Sequence, residues 1–416
     1  MGNTQIINWL YCIIFAFFGV YLFSFFYKRS RDKLNPFGVV CGIWCILGGI
    51  ANLHLSWMET YWIVDTYIVV TIFPVLVAFC GLVGKNYRTI NNKITYIYFS
   101  KTYILFTRIL FFFVFLCSLI EWKYNGFSVA FNSDMIDAKS SVESIPFIHY
   151  GTIYLPYCTI NSIFEFIYSR RKNRKTILYL ILTFIYPILY CLLAQASRGS
   201  LLIVFCAFMY LAFRRYCLPF KLIFFMTIGA LIGFVAISQV RIFSDSLVYN
   251  VIEGKPLFSS IYGYTMLNFE NLNKLIKQGP EWTFVLMTYG GFFQLMGIYD
   301  FFNMPEYVIT YFFNANTICY DFYADMGLLG VVINTILLFT CIRIWYYKSF
   351  KDHRYVLLIA TMQKAIWMTF FGNYFTIYRV MLFPFLVTGI VISTMNIKYE
   401  GFLKFKRIKD YWKEQI

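Results

Sequence analysis

Gln195-Ala196-Ser197-Arg198-Gly199-Ser200 separates two apolar runs, 176–194 and 201–213. Arginine is costly at membrane depth, so one placed between two apolar spans points to function before it points to structure. The rest of the chain decides which side of a membrane this arginine faces and what lies beside it. The 416 residues are 60% hydrophobic and 22% aromatic, with 13% charged, which describes a polytopic membrane protein and excludes a soluble globule. The formal net charge of +16 does not indicate nucleic acid, because the basic residues sit in short loops between apolar runs.

A span needs about 20 apolar residues. Eleven segments qualify: 7–27, 36–53, 61–84, 102–120, 147–168, 176–194, 201–216, 221–239, 320–342, 355–371 and 378–396. The expected fold is all-α, with about eleven transmembrane helices. The first run has no basic residue before it and is followed by them, so it reads as an uncleaved span. Lys and Arg in short loops set orientation. Lys28, Arg29, Arg31 and Lys33 follow the first span, and Lys85, Arg88, Lys93 and Lys101 the third. Arg170 to Lys175 follow the fifth, Arg214, Arg215 and Lys221 the seventh, and Arg343, Lys348, Lys351 and Arg354 the ninth. The tail from Lys398 to Lys413 completes one side, which holds 26 of the 36 basic residues. This places the N-terminus outside and the C-terminus in the cytoplasm. Acidic residues, among them Glu59, Glu121, Glu253, Glu270 and Glu281, fall in the opposite segments, which marks the outer face as the polar working face.

Two outer segments are long, 121–146 and 240–319. Connections of such length are usually functional. Within the second, 282–302 is apolar and broken by glycine. A further span there would move the C-terminal basic cluster outside, so a re-entrant or interfacial segment is expected. The eleven cysteines are scattered singly and read as small core hydrophobes.

Three arginines mark the outer ends of spans: Arg198 opens the seventh, Arg241 closes the eighth and Arg379 opens the eleventh. The planar guanidinium pairs bidentately with phosphate oxygens, so the three suit a phosphate or pyrophosphate. Asp321 and Asp325 are four residues apart and share one face of an entering helix. Either suits a general base, and either equally suits a helix start. His149 and His54, at outer boundaries, are further base candidates, with Glu253 and Glu270 weaker ones. Arg108 is expected to snorkel towards the inner surface. Lys364 lies mid-span and is expected to pair with Asp65 or another acid inside the bundle. The chain has no Asp-x-Asp, P-loop, His-Glu-x-x-His or Gly-x-Ser-x-Gly, so any reaction is expected outside and without nucleotide, metal or other cofactor.

Ser197-Arg198-Gly199-Ser200 opening a short span, and Tyr320-Asp321-Phe322-Tyr323-Ala324-Asp325-Met326-Gly327-Leu328-Leu329-Gly330 opening a later one after a large outer loop, resemble the bacterial O-antigen polymerases. The likeness is carried by residues 175–345 and by the layout of spans. It implies a glycosyltransferase of the cell inner membrane, working at the periplasmic face. Such an enzyme moves a growing glycan from undecaprenyl pyrophosphate to a new lipid-linked repeat unit. The lipid-linked oligosaccharide and membrane lipid would be its partners, with a polysaccharide chain-length regulator as a further one. Arg198, Arg241 and Arg379 would then bind the substrate pyrophosphate, and Asp321, Asp325 or His149 would take the acceptor proton. An O-antigen ligase shares this layout. A lipid-linked oligosaccharide flippase would instead show charges inside the bundle and short loops on both faces. A membrane acyltransferase would rest on His149 or His54.

Overall fold

The computed structural model describes residues 3–83, 94–126, 144–169, 172–194, 198–216, 218–219, 221–222, 225, 228–229, 251–253, 256–298, 310, 315–377, 381–395 and 398–403. The elements, in chain order, are α1 (Asn3–Ser30), α2 (Pro36–Ala51), α3 (Val64–Leu82), β1 (Ile94–Tyr98), α4 (Lys101–Tyr124), α5 (Ile148–Ile153), α6 (Leu155–Tyr168), α7 (Arg174–Leu193), α8 (Arg198–Tyr216), α9 (Pro256–Thr265), α10 (Leu267–Gln278), α11 (Leu286–Leu295), α12 (Ile318–Lys348), α13 (Arg354–Thr361), α14 (Gln363–Trp367), α15 (Phe383–Ser393) and β2 (Lys398–Leu403). Among the described residues the secondary structure is helical apart from one antiparallel ribbon, β1 with β2. Among the described residues, six helices are long and apolar enough to cross a membrane, namely α1, α3, α4, α7, α8 and α12. The protein is therefore a multi-pass membrane protein.

Those six match the first, third, fourth, sixth, seventh and ninth expected spans. The second is the shorter apolar helix α2. The fifth, 147–168, is two helices meeting at Tyr154, because Pro156 sits in the first turn of α6 and cannot continue a preceding helix. The tenth, 355–371, is the short pair α13 and α14, and the eleventh holds the 11-residue α15. The eighth lies mostly outside the described residues. The long segment 240–319 is not structureless where it is described: it carries α9, α10 and α11. All the described cysteines except the exposed Cys341 are buried and free, as small apolar residues would be.

The chain divides into two compact units. The first comprises 1–86, 231–345 and 365–382. Here α1 and α2 form a tight hairpin. Asn35 caps α2 through Oδ1, which accepts from the Phe37 and Gly38 amides, and Pro36 fills the first helical position. Gly19 lets the two backbones approach: a Cβ there would stand 2.7 Å from the Cys45 Cβ. Trp44 Nε1 donates to the Val70 carbonyl and ties α2 to α3. Arg29 donates to the Leu82 carbonyl and Arg343 to the Val83 carbonyl, so basic residues gather where α1, α3 and α12 end. The opposite end holds the loop 52–63, with α10 packed against it through Thr60, Thr66 and Asn273.

The second unit comprises 87–230, 346–364 and 383–416. Helices α4, α6, α7 and α8 form its body, and α5 lies close on α4, where a Cβ on Gly151 would meet Cys117 Sγ at 2.6 Å. Arg214 of α8 stacks over Phe350 at 3.9 Å and donates to Ser349 Oγ. This end also holds Arg174, the first residue of α7. The other end gathers the close of α4, the start of α5, the close of α7 and the start of α8.

Candidate functional site

In the second unit, three helix ends bring acid, base and hydroxyl together. Glu121 lies in the last turn of α4, His149 in the first turn of α5 and Tyr190 in the last turn of α7. His149 Nδ1 is 2.6 Å from Glu121 Oε1, and the Tyr190 hydroxyl donates to Glu121 Oε2 at 3.4 Å. The Glu121 side chain is 3% exposed and that of His149 is 22% exposed. A buried carboxylate on Nδ1 fixes the ring orientation and favours the Nδ1–H tautomer. Nε2 is then an acceptor, and it makes no hydrogen bond to a described residue. This is the geometry of a base held by an orienting group. Trp122 packs edge-on to Tyr190 and closes one side.

The same end holds the start of α8. Its first residue is Arg198, and Ser200 in that first turn bonds with Cys191, the residue after Tyr190. A helix start also presents unpaired backbone N–H groups and a partial positive charge, both suited to an anion. Arg241 and Arg379, the other two arginines expected to bind substrate, lie outside the described residues.

The first unit treats its two aspartates differently. Asp325 is fully buried and completely engaged. Its Oδ1 accepts from Thr283 Oγ1 and from the Met287 amide at 2.9 Å, and its Oδ2 accepts from the Thr288 amide at 2.8 Å. Those two amides open α11, whose own boundary residue Val285 supplies no cap. Asp325 therefore satisfies the helix start from forty residues away. The turn before α11 has Trp282 and Phe284 in the left-handed region, φ 56° and 61°. It is pinned by amides of Glu281, Trp282 and Phe284 that donate to the carbonyls of Ala324 and Asp325. The helix start expected for Asp325 is that of its own helix; its hydrogen bonds go instead to the start of α11. Asp321 is half-buried beside the Asn373 amide, one turn from Asp325. Helix α12 breaks just beyond, at Met326 and Gly327, where Gly327 has φ 61°.

The remaining candidates are structural in setting. Both His54 ring nitrogens are buried without a hydrogen-bond partner, and the ring packs edge-on to Tyr61 and Trp62. Burial, with Lys277 near, pushes it down to about 4, far below a useful base at neutral pH. Glu270 accepts from Thr60 Oγ1 and Asn273 Nδ2 and braces α10 against the loop 52–63. Glu253 is exposed. In that loop Glu59 accepts from the Tyr262 hydroxyl and the Ser56 amide. Burial nonetheless pushes its carboxyl up to about 8, and Glu270 adds to the rise.

One charge inside the apolar helices departs from expectation. Arg108 does not snorkel: it makes a bidentate pair with Glu165, both contacts at 2.7 Å, and its guanidinium lies 3.5 Å from the Tyr179 ring centre. Glu165 lies three residues before the end of α6 and faces α4, so pairing satisfies both charges within the bundle. Lys364 is buried in the second unit, with Cys206 near it. The Glu121–His149 pair was missed because sequence offers no periodicity linking residues 28 apart across a long connection. No protein-family model, no curated protein and no solved structure matches the chain.

Proposed function

We propose that the protein polymerises lipid-linked oligosaccharide repeat units at the outer face of a bacterial inner membrane. It transfers the growing glycan from undecaprenyl pyrophosphate to the hydroxyl of a new lipid-linked unit. In this reading the chain crosses the membrane eleven times, with its N-terminus outside and residues 240–319 in the periplasm. The observation that carries the reading is the Glu121–His149 pair at the helix end where α8 opens with Arg198. The acceptor hydroxyl attacks the anomeric carbon, the carbon–oxygen bond to pyrophosphate breaks, and the hydroxyl proton passes to His149 Nε2. Glu121 stabilises the imidazolium that forms. Negative charge grows on the leaving pyrophosphate, so fixed positive charge is needed there. Arg198 and the start of α8 are assigned that role.

A flippase is the second reading, because Arg108–Glu165 places a charge pair inside the apolar bundle of the second unit. Complementation of a strain lacking the gene, read as a lipopolysaccharide ladder, separates the two. Polymerase loss leaves core carrying one repeat unit, and neither Arg198→Ala nor His149→Ala restores the ladder at normal protein level. Bare core in the deletion strain would sink the polymerase reading. It would favour the flippase if the units stayed on the cytoplasmic side, and a ligase if they accumulated outside on undecaprenyl pyrophosphate.

A further inference from the structure

The first unit contains a group of buried oxygens that the proposed transfer does not use. Asn316 and Thr317 lead into α12, and Thr369 and Asn373 lie on the segment after α14. The two segments are in backbone contact: the Ile318 amide donates to the Thr369 carbonyl at 2.8 Å. A Cβ on Gly372 would stand 3.7 Å from the Asn316 carbonyl oxygen. Asn316 Oδ1, Thr317 Oγ1, Thr369 Oγ1 and Asn373 Oδ1 are all buried, and none has a hydrogen-bond partner among the described residues. None of the four residues is more than 9% exposed. The Asn373 amide nitrogen is committed to the Thr288 carbonyl and Thr376 Oγ1, which fixes its oxygen as an acceptor. The fifth oxygen group is the carboxyl of Asp321, beside Asn373.

An unpaired buried polar atom costs about 1–3 kcal/mol. Four of them on two touching segments, with the Asp321 carboxyl beside one of them, call for a ligand that accepts electron pairs. The set is oxygen only, without thiolate or imidazole, which selects a hard cation. No cluster of three His, Cys, Asp or Glu that would hold a transition metal occurs among the described residues. One carboxylate among neutral oxygens cannot balance a divalent ion, whose sites gather more charge or keep several waters. The charge near Asp321 is the like charge of Asp325, so a bound cation would also relieve that repulsion. The start of α12 carries about half a positive charge that opposes a cation. A bound cation would hold the Asp321 carboxyl in its ionised form, and that charge would exceed the half charge of the helix start.

We propose that Asn316, Thr317, Asp321, Thr369 and Asn373 form a binding site for a monovalent cation of the sodium or potassium kind, which clamps the head of α12 to the segment after α14. The clamp holds Asp325, one turn further on, in place to cap α11. The inference does not depend on the reaction assigned to the second unit.

The test uses the full-length purified protein in detergent at fixed pH and ionic strength. Thermal midpoints are compared in sodium chloride, potassium chloride and choline chloride. A ligand bound only by the folded state raises the midpoint as its concentration rises. The expected result is a saturable rise of several degrees in sodium or potassium over choline. Asp321→Asn and Thr369→Val should each remove that rise while still unfolding cooperatively in choline. If Asp321→Asn fails to fold, Thr369→Val carries the test, and radioactive sodium or potassium retained on equilibrium dialysis gives a direct readout. Equal midpoints for the wild type in all three salts would overturn the proposal. So would a cation dependence that survives in the folded variants, since it would belong to another site.

Discussion

His149, in the first turn of α5, and Asp325, just before the break in α12, are both held by hydrogen bonds from distant segments, and the bonding differs between them. Asp325 is fully buried, with both carboxyl oxygens engaged by the start of α11 and Thr283. His149 is partly exposed and held on one nitrogen only, by a carboxylate more buried than itself. A titratable group whose every lone pair is committed has no capacity for a transferred proton. A group held on one side and open on the other has both orientation and capacity. Chemical type alone does not separate the two.

The largest effect expected from this contrast is on activity. His149→Ala should lower glycan transfer by about 10²–10⁴-fold, the usual range for loss of a general base, with the thermal midpoint little changed. Glu121→Gln should cost less and shift the pH profile, since a positioning residue acts through its partner's basicity. A normal ladder from His149→Ala would erase the distinction between the two residues. Asp325→Ala should behave inversely. Two buried amides and one hydroxyl lose their acceptor, which destabilises the fold by about 3 kcal/mol or more, at about 1–3 kcal/mol for each orphaned group. Activity per folded molecule should survive in that variant. A normal midpoint with abolished transfer would return Asp325 to the catalytic candidates.

A smaller effect is expected at Arg108–Glu165. Glu165→Gln should lower the midpoint, because it leaves a guanidinium in an apolar bundle. The apolar pair Arg108→Met with Glu165→Leu should recover much of the loss, since replacing both partners removes the desolvation penalty. If the double variant is the worse of the two, the pair does more than hold helices together, and the flippase reading gains.

A further effect, on pH dependence, concerns Glu59. Its carboxyl is raised from an ordinary 4.5 to about 8, so the folded state holds a proton that the unfolded chain releases. Stability should be greatest below about pH 4.5, fall as pH rises towards 8, and level off above it. Glu59→Gln should flatten that fall, measured as midpoint against pH. An unchanged slope would place the titration elsewhere.

Some of this was legible in the chain. The end of α1 and the start of α2 follow from Ser30 to Pro36, where Asn35 and Pro36 form a cap within three residues. Arg29 and Arg343 lie at one end of the first unit, and Glu59 and Glu270 lie with Lys277 around the loop 52–63. Arg108 was misread because its partner is 57 residues away, and a charge without a visible partner reads as one that must reach water.

The sequence by itself determined that this protein is helical, multi-pass and membrane-embedded, because burying twenty apolar residues in lipid is a property of composition and length. Only the tertiary structure decided which polar groups inside that frame are spent on architecture and which stay open. Hydrogen bonds to Asp325, Glu165 and His149 come from segments far apart in the chain, and their short range makes each depend on which helix ends meet.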